Sequence, residues 1–206
     1  ALDQVDFSAG QGKITAIIGP NGAGKTTLLN AISGMVPMAT GTILFHDRDM
    51  TGKAPHKRGN AGIVRTFQNL EIFSNMSVLE NVMTGRHRID RYSVVHALLK
   101  TPKYFRSERQ CRDLAMEKLE FVGLETKHKL PAAELPFGNQ RMLEIARAIA
   151  AEPDLLLLDE PAAGLNMRET RTLGRLIRRI REELGITIVL VEHDMDLVMR
   201  ISDQVS

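Results

Sequence analysis

The chain has 206 residues, 43% of them hydrophobic and 25% charged, and a formal net charge of +2. That length can bury a real core, as one domain or a domain with an appended lobe, and the balance of charge gives no push toward nucleic acid. The one cysteine, Cys111, excludes an internal disulfide, and no apolar run approaches a membrane span.

The start, Ala1-Leu2-Asp3-Gln4, has neither a signal-peptide layout nor an initiator Met, so the chain is expected to begin inside its domain. Val5 and Phe7 alternate with polar residues, and Leu2 to Phe7 reads as a half-exposed strand. Lys13 to Ile18 reads as a buried strand. It runs into Gly19-Pro20-Asn21-Gly22-Ala23-Gly24-Lys25-Thr26-Thr27, which fits G-x-x-x-x-G-K-[ST], and a helix-compatible run to Ile32 follows. Glycines keep side chains out of the way where backbone amides must wrap a phosphate. The first helical turn then points its free N–H groups at the same anion. Asn21, Gly22, Gly24, Lys25, Thr26 and Thr27 are therefore the expected phosphate-binding residues, with Lys25 on the β- and γ-phosphates and the Thr26 hydroxyl on Mg²⁺.

Thr42 to Phe45 and Ile63 to Phe67 read as further strands, and Gln68, at the end of the second, could touch both a metal and a water. From about Leu70 to Glu152 the texture changes to that of a helical lobe inserted in an α/β core. Ser77, with Glu80 three residues on, is the signature of a capped helix carrying Val78, Leu79, Val82 and Met83. The run Arg86 to Arg91 is polar and expected to be exposed. Glu108 to Phe121 reads as a helix that Gly123 stops, and it carries Cys111, expected to be reduced and inert.

Leu155 to Leu158 and Ile186 to Val191 are continuous apolar runs, as central parallel strands require. Between them Leu173, Leu176, Ile177, Ile180 and Leu184 fall on one helical face, and Arg171, Arg175, Arg178 and Arg181 suit its solvated side. The first of these strands ends in Asp159-Glu160, either a polar strand end or a pair with chemistry. Beside a phosphate loop, Asp159 is placed to hold Mg²⁺ and Glu160 to deprotonate an attacking water. His193 ends the last strand and could hydrogen-bond a γ-phosphate; alone, a strand-end Gln or His is as often merely exposed.

In this order the elements resemble the nucleotide-binding domain of ABC transporters: phosphate loop, Gln68, a short glycine motif, Asp159-Glu160, His193. The glycine motif, L-S-G-G-Q in that family, is here Leu135-Pro136-Phe137-Gly138-Asn139, followed by Gln140-Arg141 and a helix-compatible stretch from Met142 to Ile149. The resemblance implies that Phe137, Gly138 and Asn139 meet the γ-phosphate held by a second subunit. Pro136 removes both a hydroxyl and a backbone donor at that place. After Pro161 the family carries S-A-L-D; here Ala162-Ala163-Gly164-Leu165-Asn166 keeps a polar group without the charge. Thr66-Phe67-Gln68-Asn69, Ser77 to Val82, Glu160 to Asn166 and Val191 to Met195 are similar to LivG-like ATPases of branched-chain amino acid importers, as is the polar stretch from Gly85 to Arg109.

The resemblance implies an α/β fold with a mostly parallel sheet of the P-loop NTPase class, a partial antiparallel β edge and an inserted helical subdomain. The core is expected over residues 1–69 and 153–206, truncated at both ends, and the subdomain over 70–152. It implies a Mg²⁺-dependent ATP hydrolase that powers import of branched-chain amino acids. Its cofactors would be ATP and Mg²⁺, its catalytic residues Glu160, His193 and Gln68, and its metal ligands Thr26, Gln68 and Asp159. Its partners would be a second ATP-binding subunit and transmembrane permeases, with no nucleic acid and no insertion of its own into the membrane. It would lie in the cytoplasm, peripheral on the cytoplasmic face of the inner membrane. Leu70, Ile72, Phe73 and Met76 would line the permease contact, although apolar residues beside Gln68 would equally suit a core. The alternatives are a non-transport ABC ATPase acting on ribosomes or nucleic acid, a subunit for another substrate, and a protein that binds nucleotide without hydrolysing it. The first usually carries two such domains or a long coiled-coil insertion, and the last would not keep Lys25, Asp159 and Glu160.

Overall fold

The computed structural model describes residues 2–86 and 102–206, with side chains described from residue 105 in the second span. In chain order the elements are β1 (Ile14–Ile17), α1 (Lys25–Ser33), β2 (Leu44–Phe45), β3 (Arg48–Asp49), α2 (Pro55–Asn60), β4 (Ile63–Arg65) and α3 (Val78–Gly85). There follow α4 (Pro102–Val122), α5 (Phe137–Ala150), β5 (Leu155–Asp159), α6 (Met167–Leu184), β6 (Thr187–Val191), α7 (Met195–Ile201) and β7 (Gln204–Val205). They divide into two compact units, Ala1–Gln68 with Pro153–Ser206, and Asn69–Glu152.

The first unit is built on a five-stranded parallel sheet of order β4-β5-β6-β1-β7, with β2 and β3 as a separate antiparallel hairpin. This is the α/β class with a small antiparallel edge that the resemblance implies. Strands β1, β5 and β6 are buried along their whole length, which is why they read as unbroken apolar runs. Leu29 of α1 packs with Ile17, Ile63, Leu155, Leu157, Val189 and Val191. Burying each such aliphatic side chain contributes about 1.5–3 kcal/mol. Helix α6 carries a capping box at Asn166 and Glu169 and buries Leu173, Leu176, Ile177 and Ile180. Its Gly174 meets α7 so closely that an added Cβ would lie 2.8 Å from Leu197 Cδ1.

The second unit packs α3, α4 and α5 against one another. Ser77 caps α3 by accepting from the Glu80 N–H, and the Glu80 carboxylate accepts from the Ser77 N–H, a reciprocal pair legible in the sequence. Gly123, with φ of 76°, follows the end of α4. Cys111 on α4 is buried and in no disulfide.

Two expectations fail. Leu2 to Phe7 is not a strand: alternation sets which side chains would face a core, but a strand exists only where a neighbour accepts its backbone bonds. Arg86 is not exposed: its side chain is 4% accessible and pairs with Glu152 at 2.8 Å, a partner 66 residues away that local polarity cannot reveal. Residues 87–91 of the same run lie outside the described residues.

Candidate nucleotide site

Because all the sheet strands run parallel, their carboxyl ends share one edge. Strand β4 leads there to Gln68, β5 to Asp159 and Glu160, β6 to His193, and β1 to the glycine loop. Residues scattered over most of the sequence thus meet at one place, the usual ligand position in open α/β sheets.

The glycine loop ends on Gly24, which holds the N-cap of α1 at φ of 93°, a left-handed conformation costly for any residue with a Cβ. No side chain caps α1, so the N–H groups of its first turn remain available to an anion. The Lys25 ammonium bends back onto the loop and donates to Gly19 O at 2.7 Å and Pro20 O at 2.9 Å. Asn21, Gly22 and Thr26 are exposed on the same loop and helix start, and Thr27 is half-buried.

The adjacent carboxylates have opposite surroundings. The Asp159 side chain is 3% accessible, and its Oδ2 accepts from Arg65 at 2.8 Å. Its Oδ1 is buried and has no hydrogen-bond partner among the described residues. The Glu160 backbone sits at φ of 47°, a left-handed conformation that costs a non-glycine residue about 1–3 kcal/mol. Its carboxylate accepts from Gln68 Nε2 at 2.9 Å, and its other oxygen lies 3.1 Å from His193 Nε2. Gln68, Glu160 and His193 therefore form one connected group, although they are spread over 126 positions of sequence.

A buried carboxylate oxygen without a hydrogen-bond donor fits a hard cation. Among the described residues no three His, Cys, Asp or Glu side chains cluster as a metal cage. That suits Mg²⁺, which is usually held by one or two carboxylates together with substrate phosphates.

Phe137, Gly138 and Asn139 belong to the second unit and open α5. Pro136 is its N-cap, and the Pro136 carbonyl takes the first helical bonds, from the Asn139 and Gln140 N–H groups at 2.8 and 3.0 Å. Phe137 is exposed and Gly138 is buried. In the same unit Phe73 is 46% accessible, while Leu70, Ile72 and Met76 are half-buried. Asn81, fully buried, holds the Phe73 backbone at both its N–H and its carbonyl.

Some polar groups with clear positions carry no sequence signal. Glu192 is buried just before His193 and accepts from the backbone N–H of Ala162 at 2.7 Å and of His193 at 3.1 Å. It thereby ties the segment after Glu160 to the one that carries His193. Burial pushes its carboxyl above the usual range, against the pull of those amides. Asn166, which stands where the related motif has an aspartate, accepts from the Arg168 and Glu169 N–H groups as a helix cap.

Residues 2–163 match the sequence pattern described as "ABC transporter". The high-affinity branched-chain amino acid transport ATP-binding protein LivG of Escherichia coli (strain K12) is 42% identical over 205 residues, 100% of this chain and 80% of the relative. The corresponding protein BraF of Pseudomonas aeruginosa gives the same identity and coverage. Among solved structures, the ADP conformation of an ATP-binding cassette of an ABC transporter superposes with a TM-score of 0.85 at 34% identity, covering 100% of this chain and 80% of the other. A dimeric bacterial ABC transporter cassette superposes at 0.79 and 25% identity, covering 99% and 84%.

Proposed function

The chain belongs to the ABC transporter family, and on that premise we propose that it is the ATP-hydrolysing subunit of an importer of branched-chain amino acids. It is an ATPase of the ABC type. The observation that carries the chemistry is the Glu160 carboxylate held between Gln68 and His193 at the carboxyl ends of three parallel strands. The relatives' names support the substrate.

On this reading the phosphates of ATP enter the glycine loop and draw Lys25 off Gly19 O and Pro20 O. A buried ammonium exchanges two carbonyls for an anion, which is the stronger partner. The free amides of the first turn of α1 bind the same charge. Thr26, Asp159 and Gln68 would hold Mg²⁺, whose contribution is to neutralise charge on the phosphates. Glu160 takes the proton of the attacking water, and Gln68 and His193 orient that water and the γ-phosphate. The Glu160 carboxylate is already aligned by its two partners, so the geometry of the base does not wait for the substrate.

Phe137, Gly138 and Asn139 would close the site of a second subunit, Phe137 through its exposed ring and Gly138 through close backbone approach. No helix among the described residues is long and apolar enough to cross a membrane. As for the relatives named as transport ATP-binding proteins, the subunit would sit peripherally on the cytoplasmic face of the membrane, against permeases at Leu70, Ile72, Phe73 and Met76. Phe73 suits a contact best, because its backbone is pinned while its ring is left outside.

The substitution Glu160→Gln tests the chemical assignment. It should keep ATP affinity by calorimetry and lower phosphate release by about 10²–10⁴-fold, the usual range for a lost general base. Turnover within a few-fold of wild type would remove Glu160 from that role.

A further inference from the structure

Arg65 ends strand β4 with its side chain 5% accessible, and nothing in the reading above uses it. Its guanidinium faces two elements at once. One nitrogen donates to Asp159 Oδ2 at 2.8 Å on β5, while the other reaches Asn30 Oδ1 at 2.5 Å and Ser33 Oγ at 3.2 Å on α1. The Phe67 ring lies under it, 5.2 Å from centroid to guanidinium carbon. The planar fork is what allows this: five N–H donors in fixed directions span two acceptor groups that a point charge cannot hold together.

The consequence falls on Asp159. One oxygen is fixed by Arg65, so the carboxylate cannot rotate, and the other is left buried with no partner among the described residues. A buried acceptor without a donor is unfavourable, and here it lies beside the helix that carries Thr26.

We propose that Arg65 is a positioning residue of the cation site, fixing Asp159 to α1 so that its Oδ1 stays directed to Mg²⁺ or to a water on it. This rests on the assignment of Thr26 and Asp159 to the cation. Arg65 touches neither nucleotide nor metal; it acts through Asp159, as hydrogen-bond partners of metal ligands do elsewhere.

The test is ATP affinity of the whole protein by calorimetry, with Mg²⁺ and with EDTA, for wild type, Arg65→Ala and Arg65→Lys. Wild type should bind ATP more tightly with Mg²⁺. Arg65→Ala should cut that enhancement by about 10–100-fold, the range for lost partners of metal ligands, with EDTA affinity unchanged. If Arg65→Ala does not fold, Arg65→Lys decides: its single ammonium cannot serve both Asp159 and Asn30, so its enhancement should fall below wild type. An unchanged enhancement in the folded variant would overturn the proposal and leave Arg65 a structural tie. A larger one would also overturn it, since the guanidinium would then be repelling the cation. A wild-type protein whose ATP affinity ignores Mg²⁺ would overturn the cation assignment itself.

Discussion

The nucleotide-site groups of the first unit and the buried polar groups of the second are placed in opposite ways. In the first, Gln68, Glu160 and His193 stand at strand ends, partly exposed, and bond to one another; Lys25 nearby holds only loop carbonyls. Each of these partners can be exchanged for a ligand at little cost. In the second, the polar groups are buried and grip backbone. Asn81 holds Phe73 and Ser77, and the Arg147 guanidinium reaches Glu71 O. Arg141 and Glu144 pair at 2.7 Å with side chains 2% and 1% accessible. The strand-end groups of the first unit stay ready for chemistry, while those of the second hold a loop to helices, as the buried Arg58 holds the carbonyls of Lys53, Ala31 and Ile32 within the first.

Asn81→Ala should break this comparison most visibly if it is wrong. Removing a buried side chain that satisfies three backbone groups should cost about 1–3 kcal/mol in chemical denaturation, with ATP affinity unchanged. Lost ATP affinity at intact stability would mean that the second unit's polar groups also serve the nucleotide.

Glu192 sharpens the contrast, because it is a buried clamp inside the first unit. Its carboxyl is raised by burial, so between the ordinary carboxylate value and the raised one the folded protein keeps a proton that the unfolded chain has lost. Stability should therefore fall as pH rises through that window. Melting temperatures across it should show the fall in wild type and a smaller one in Glu192→Gln. Identical profiles would show that Glu192 does not titrate there.

What was legible in the sequence follows the same division. The glycine loop and the buried runs of β5 and β6 are local patterns set by backbone needs, and so is the Ser77 cap. The carboxyl-end residues were found because chemistry restricts which types can stand there. Arg65, Glu192 and Arg86 were not legible, since each is defined by a partner 30 to 94 positions away, brought near by the fold. Leu2 to Phe7 failed for the converse reason: its pattern was right, but no neighbouring strand pairs with it. Helix α5 begins at Phe137, earlier than its periodic stretch from Met142, because Pro136 supplies a fixed φ and a free carbonyl where a helix starts.

The most direct test of the central claim is transport. The protein, reconstituted in vesicles with permease subunits of a branched-chain amino acid importer and a matching binding protein, should take up leucine when ATP and Mg²⁺ are supplied on its own side. Uptake should vanish with Glu160→Gln and should not extend to glutamate. Vesicles that hydrolyse ATP yet accumulate no branched-chain amino acid would contradict the account.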